Sequence, residues 1–151
     1  MKRMILTLAA LGSLLGGCAS AHLDTPNGFA AYEDNETYDF YASDGEGVVI
    51  AVRTEKNRPQ GDLSYWTSSL DAQLRGAGYQ THDVADVKSA DGHAGKQLQY
   101  VVDDNGRDLV FWVSIFVTDR QVVLVEAGGD VAFFEPKVAQ IQSAIASLHV
   151  G

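Results

Sequence analysis

The chain has 151 residues, of which 46% are hydrophobic, 21% charged and 9% aromatic, a globular composition that excludes a disordered or fibrous protein. With 11 lysines and arginines against 20 aspartates and glutamates the formal charge is −9, and without a cluster of cations to hold a phosphate backbone the chain is a poor partner for nucleic acid. A single domain is expected, long enough to bury one core without disulfides, and the sequence carries only one cysteine.

Lys2 and Arg3 precede an apolar run over residues 5–15. Such a run matches a secretory signal core of roughly 7–15 residues and falls short of the roughly 20 needed to span a bilayer. The segment ending it, Leu15-Gly16-Gly17-Cys18, resembles the lipobox of bacterial lipoproteins: an apolar residue three before the cysteine, then two small residues, then the cysteine. Gly16 departs from the more usual Ala or Ser. The resemblance implies that residues 1–17 are removed and that Cys18, diacylated with palmitate-type chains, becomes the N-terminus. Two chains at about 0.8 kcal/mol per buried methylene hold a domain stably on a membrane, which one chain does not. The alternative, a plain secretory signal, leaves Cys18 as an odd thiol in an oxidising compartment. By the same resemblance, Ala19 in place of Asp directs the protein to the outer membrane, facing the periplasm, in a Gram-negative cell. Residues 18–28, small and polar, read as the lipidated N-terminus and a flexible tether, and residues 29–151 as the domain.

A brief strand or irregular segment is expected at 29–32, then a hairpin from 38–41 to 48–53 around the glycine-containing loop Ser43-Asp44-Gly45-Glu46-Gly47. From Asp62 the apolar residues Leu63, Trp66, Leu70 and Leu74 recur at helical spacing, with Asp62 as N-cap and Gly76 or Gly78 ending the helix. Four strands follow, at 79–88, 96–103, 109–118 and 122–126, joined by short turns that make antiparallel neighbours. Both faces of the run 109–118 are apolar, so it belongs at the centre of a sheet covered on both sides. In the run 96–100, Leu98 and Tyr100 point inward, Gln97 and Gln99 outward. Gly128-Gly129 reads as a strand-to-helix turn, and a last helix over 132–148, capped by Asp130, carries Val138, Ile141, Ile145 and Leu148 on one face. The sum is an α+β fold: an antiparallel sheet of about six to seven strands flanked by two main helices.

The opening 29–32, the hairpin ending in Val48-Val49-Ile50-Ala51-Val52-Arg53, the helix from Gly61-Asp62-Leu63-Ser64-Tyr65-Trp66 to Gly76-Ala77-Gly78-Tyr79, the meander and the final helix after Ala127-Gly128-Gly129 resemble the PsbP/Mog1-like fold. Bacterial envelope lipoproteins of the DcrB type share it. The likeness lies in element order and hydrophobic spacing. It implies a protein-binding or assembly-accessory module with no catalytic centre common to the fold, and hence no family catalytic residue to carry over.

The residues themselves agree in offering little chemistry. No Gly-x-Ser-x-Gly elbow, phosphate loop or dinucleotide fingerprint occurs. The four histidines share no ligand spacing, and a metal site would need distant residues such as His82, Asp83 and His93. The stretch 103–108 has the look of a calcium loop but lacks its ligand alternation and distal Glu, which favours a hairpin turn. No enzyme, cofactor or metal is therefore expected. Tyr65, Trp66, Arg53 and Phe134 are the candidate partner-binding residues. Against that, Trp66 lies on the apolar helix face and would be core, and only one of Phe133 and Phe134 fits a narrow buried face. Arg53, Lys56 and Arg58 concentrate scarce positive charge in a stretch suited to an acidic partner or lipid headgroups. The expected role is a membrane-anchored, non-catalytic envelope module that binds an envelope protein. The alternatives are a small-ligand or metal carrier with a pocket near His82 or Tyr79, and a hydrolase of unfamiliar type.

Overall fold

The computed structural model describes residues 20–151. Seven strands form one antiparallel sheet: β1 (Ala30–Ala31), β2 (Phe40–Ser43), β3 (Val49–Lys56), β4 (Gln80–Lys88), β5 (Ala94–Asp104), β6 (Arg107–Val117) and β7 (Gln121–Asp130). Their order across the sheet is β1-β2-β3-β7-β6-β5-β4. The meander β4 to β7 thus closes on the opening hairpin, and β6 and β7 lie at the centre, as the doubly apolar run 109–118 requires.

Helix α1 (Leu63–Gly76) packs on one face of the sheet. Asp62 accepts from the Tyr65 N–H at 2.8 Å and caps it. At its other end Gly78 takes φ +97°, and the N–H groups of Gly78 and Tyr79 bond the carbonyls of Arg75 and Leu74. This pairing closes a Schellman turn that brings Tyr79 and Leu74 together on the apolar side.

The opposite face is covered by the C-terminal segment. One helix was expected over 132–148; the chain instead forms α2 (Val131–Phe134), a 3-10 turn (Glu135–Lys137) and α3 (Val138–Ala146). Pro136 supplies no N–H and tightens the backbone at that point, which breaks the helix in two. Asp130 caps α2 by accepting from the Ala132 N–H.

Three expectations need correction. Ala21 and Leu23 are buried in the same core cluster as Ile141, Ile145 and Leu148, and His22 pairs with His149 through two backbone hydrogen bonds and a stacked ring. Residues from Ala21 onward therefore belong to the domain, not to a tether. The strand read as ending at 126 continues through Gly128 and Gly129 to Asp130. A Cβ on Gly128 would stand 2.9 Å from the Val110 carbonyl, so these glycines permit close backbone approach within the sheet rather than a turn. Gln97, expected to point outward, is buried on the face opposite Leu98 and Tyr100, donating to Ser114 Oγ at 3.1 Å and accepting from Gln99.

Candidate functional site

The two faces of the sheet are filled differently. Under α2 and α3 lies a dry core: Ile50, Val52, Phe116, Val123, Phe134, Ile141 and Leu148 are essentially inaccessible. On the other face α1 contributes no fully buried residue, although Leu98, Tyr100, Val113, Ile115 and Leu124 beneath it are buried. Leu63, Trp66, Leu70 and Leu74 cover them as half-buried side chains, so the apolar stripe read from the sequence is real but lies only partly sunk.

What α1 lacks in burial it gains from two polar clasps. At its start, Asn57 is buried and spends its whole amide: Nδ2 donates to the carbonyls of Gly61 and Thr118, and Oδ1 accepts from Gly61 N–H and from Trp66 Nε1 at 2.7 Å. Further along, Tyr100 Oη donates to Asp71 Oδ1 at 2.8 Å, while Thr81 donates to and Arg75 pairs with the same carboxylate. Burial, and then the adjacent Asp71 carboxylate, push the Tyr100 hydroxyl well above the ordinary phenol range. It remains a neutral donor. Sequence reasoning missed both clasps, because a lone Asn after a strand and one Asp on a helix carry no spacing signal.

Along the β3 and β7 side of α1 runs a cleft of about 190 Å³ between Arg53, Trp66, Leu70, Gln73, Ile115 and Leu124. It brings Arg53 and Trp66 together from the sequence candidates. Arg53 pairs with Glu126 at 3.1 Å and with Glu55 at 3.4 Å, which fixes its guanidinium at the cleft rim. Tyr65, 46% exposed, stands edge-on to Trp66 and folds over Gly61, where a Cβ would fall 2.2 Å from the Tyr65 ring. Beyond Arg53, where no helix among the described residues covers the sheet face, Tyr41, paired with Ala51, stands with Tyr32 and Tyr38 in edge and tilted ring contacts, and Tyr32 is 56% exposed.

Phe134 does not join this surface. It is 1% exposed and packs edge-on against Trp112 at 5.0 Å on the far face, while its neighbour Phe133 is 44% exposed. The signal was present, since 134, 138, 141, 145 and 148 continue one helical stripe.

The residues considered for a ligand or metal are dispersed. His82 sits at a bulge in β4 beside an open cleft of about 300 Å³ under α2, whereas Tyr79 packs against Tyr100 and Phe111 on the α1 face. His93 lies in the β4–β5 turn, six strand residues or about 20 Å from His82. Among the described residues no cluster of three or more His, Cys, Asp or Glu forms a metal site. Asn105 and Gly106, at φ +56° and +82°, make the stretch 103–108 a two-residue hairpin turn. Among the described residues no helix is long and apolar enough to cross a membrane. Cys18 and the Leu15, Gly16 and Gly17 before it lie outside the described residues.

No protein-family model and no curated protein matches the chain. Solved structures do. LpqN of Mycobacterium tuberculosis, described as involved in cell envelope biogenesis, superposes with a TM-score of 0.68 at 12% identity, over 85% of this chain and 82% of that one. Cyanobacterial PsbP (CyanoP) from Synechocystis sp. PCC 6803 superposes with a TM-score of 0.57 at 16% identity, over 93% of this chain and 99% of that one. Likeness at such identity speaks for the fold, and with the sheet order and the helix placement above it makes this a PsbP-like α+β fold.

Proposed function

We propose that the protein is a non-catalytic binding module of the bacterial cell envelope, anchored through acylated Cys18, that engages a partner protein with the α1 side of its sheet. The observation that carries this reading is the asymmetry of the two faces. One face carries an enclosed apolar core under α2, α3 and the N-terminal segment, whereas the other leaves Trp66, Arg53 and a tyrosine cluster accessible around a half-seated helix. Tyr, Trp and Arg are the residue types that dominate binding hot spots, because they offer large rigid contact area together with a polar handle. The lipobox-like segment and the envelope role described for LpqN support the location. Confinement by an anchor raises the effective concentration near a membrane-bound partner.

The test is affinity purification after crosslinking in cells, comparing the wild-type chain with Cys18→Ala, together with the intact mass of the purified protein. Acylated Cys18 and an envelope protein that co-purifies with the wild type and is depleted with Cys18→Ala are the expected results. An unmodified Cys18 removes the anchor, and a membrane-bound protein with no enriched partner removes the binding role.

A further inference from the structure

The enclosed core under α2 does not extend to the β4 edge of the sheet. The cleft of about 300 Å³ beside His82 opens there, walled by Val101, Val110, Val131, Phe134 and Val138. Strand pairing sets its floor: Gln97 stands opposite Ser114, Gln99 opposite Trp112 and Val101 opposite Val110, on the face that carries α2 and α3. Directly opposed residues stand about 5 Å apart at Cβ, so Gln99 and Trp112 are neighbours in the cleft.

Two polar groups on this floor have no partner among the described residues. Trp112 is only 8% exposed, yet its Nε1–H makes no hydrogen bond, whereas the indole of Trp66 donates to Asn57. A tryptophan this deeply set usually reaches a partner with its N–H. Nor is the atom sealed in the core, since the occluded side-chain atoms without a partner belong to Asp44, Thr54 and Gln140. What remains accessible of Trp112 opens on the cleft it lines. Gln99 is oriented by a short ladder in which its Nε2 donates to Gln97 at 2.8 Å and Gln97 donates to Ser114 at 3.1 Å. That leaves Gln99 Oε1 as a free acceptor beside the Trp112 donor.

The backbone adds a third group. Between Thr81 and Asp83 the register of β4 against β5 slips by one residue, so His82 has no residue opposite it. A bulge of this kind re-aims a side chain, and His82 joins Glu135 in the polar part of the cleft lining. No lysine or arginine lines the cleft.

We propose that this cleft binds a small uncharged ligand bearing a secondary amide next to an apolar group. A donor and an acceptor on different strands match a group that carries its acceptor and its donor on different atoms. The amide carbonyl accepts from Trp112 Nε1–H, and the amide N–H donates to Gln99 Oε1. The valines and Phe134 cover the apolar part. A carboxylate or phosphate does not suit the site, because it would be desolvated beside Glu135 with no cation to pair with. Two sources share the amide chemistry: an acylated amino acid or peptide end, and an N-acetylated amino sugar. The cleft lies on the opposite face of the sheet from Trp66 and Arg53, and its occupancy depends neither on the partner surface nor on the anchor.

The test uses the full-length chain labelled with nitrogen-15. It holds two tryptophans, so two indole N–H signals report on binding, with Trp66 as internal reference. Either Trp66→Phe or Trp112→Phe suffices to assign them. The probes are N-acetylphenylalaninamide and N-acetylglucosamine. The Trp112 signal should shift saturably with at least one probe, at a Kd of about 1 mM or tighter, while the Trp66 signal stays in place. The probe that binds more tightly identifies the source. Gln99→Leu, its fold verified by circular dichroism, should weaken that binding about tenfold, as loss of one hydrogen bond does. No shift at Trp112 with either probe at about twentyfold that concentration overturns the site, as does equal movement of both indoles. A saturable shift that Gln99→Leu leaves unchanged overturns the amide pairing.

Discussion

The face under α2 and α3 and the face under α1 are built from one sheet by two different principles. On the first, the C-terminal helices sink Phe134, Ile141 and Leu148 completely, and the N-terminal Ala21 and Leu23 seal the remaining edge. Stability there is apolar burial. On the second, a helix with no fully buried residue is held by the amide of Asn57, which is buried and must find fixed partners, and by the half-buried carboxylate of Asp71. The first face spends its large apolar side chains on an enclosed core, whereas the second, held by clasps, leaves Tyr65 and Tyr32 accessible beside half-buried Trp66.

The enclosed face is the more sensitive to truncation. Phe134→Ala should lower stability by about 3–5 kcal/mol, read by thermal or urea unfolding, because a fully enclosed ring leaves a cavity. Next is Asn57→Asp, which keeps the shape but turns an oxygen toward the Gly61 and Thr118 carbonyls. It should cost about 2–3 kcal/mol, and Asn57→Ala should cost a similar amount by orphaning the same groups. Little or no loss would show that α1 does not depend on that clasp.

Asp91 makes the stability of the fold depend on pH. Burial opposes its charge, but the Ser89 hydroxyl and the N–H groups of Val150 and Gly151 outweigh that and hold its pKa at about 2, below the ordinary 3.8. A carboxyl with a depressed folded-state pKa stabilises above the unfolded value. The contribution of about 2 kcal/mol is therefore fully present above about pH 4 and is lost as pH falls toward 2. The stability gap between wild type and Asp91→Ala, measured by urea unfolding across that window, should close as the pH drops. Smaller again is Tyr100→Phe, which should cost about 1 kcal/mol and speed amide exchange in α1 more than in α3. Smallest is Tyr65→Ala, within about 0.5 kcal/mol of wild type as an exposed side chain, yet expected to weaken partner capture.

Much of this fold was legible because it is written in periodicity. The alternation in 96–100, the doubly apolar run 109–118 and the stripe Leu63, Trp66, Leu70, Leu74 placed strands, sheet centre and helix face, and Asp62 and Asp130 marked the caps. Signals that depend on distant partners were not legible. Ala21 and Leu23 form a pattern too short to distinguish from a tether until the C-terminal helix stands beside them. Gly128 reads as a turn until the Val110 carbonyl occupies the space its side chain would need. Of the candidate residues, Arg53 and Trp66 converge on one cleft with Tyr65 beside it, whereas Phe134 belongs to the core.

The most direct test of the central claim is site-specific photo-crosslinking in living cells, with the crosslinker placed in turn at Tyr65 and Gln73 on the α1 side and at Gln142 on the exposed side of α3. A discrete adduct with the same envelope protein from Tyr65 and Gln73, absent from Gln142, is the predicted result. Adducts from Gln142 alone, or none from the α1 side in a protein that remains folded and membrane-bound, would contradict the account.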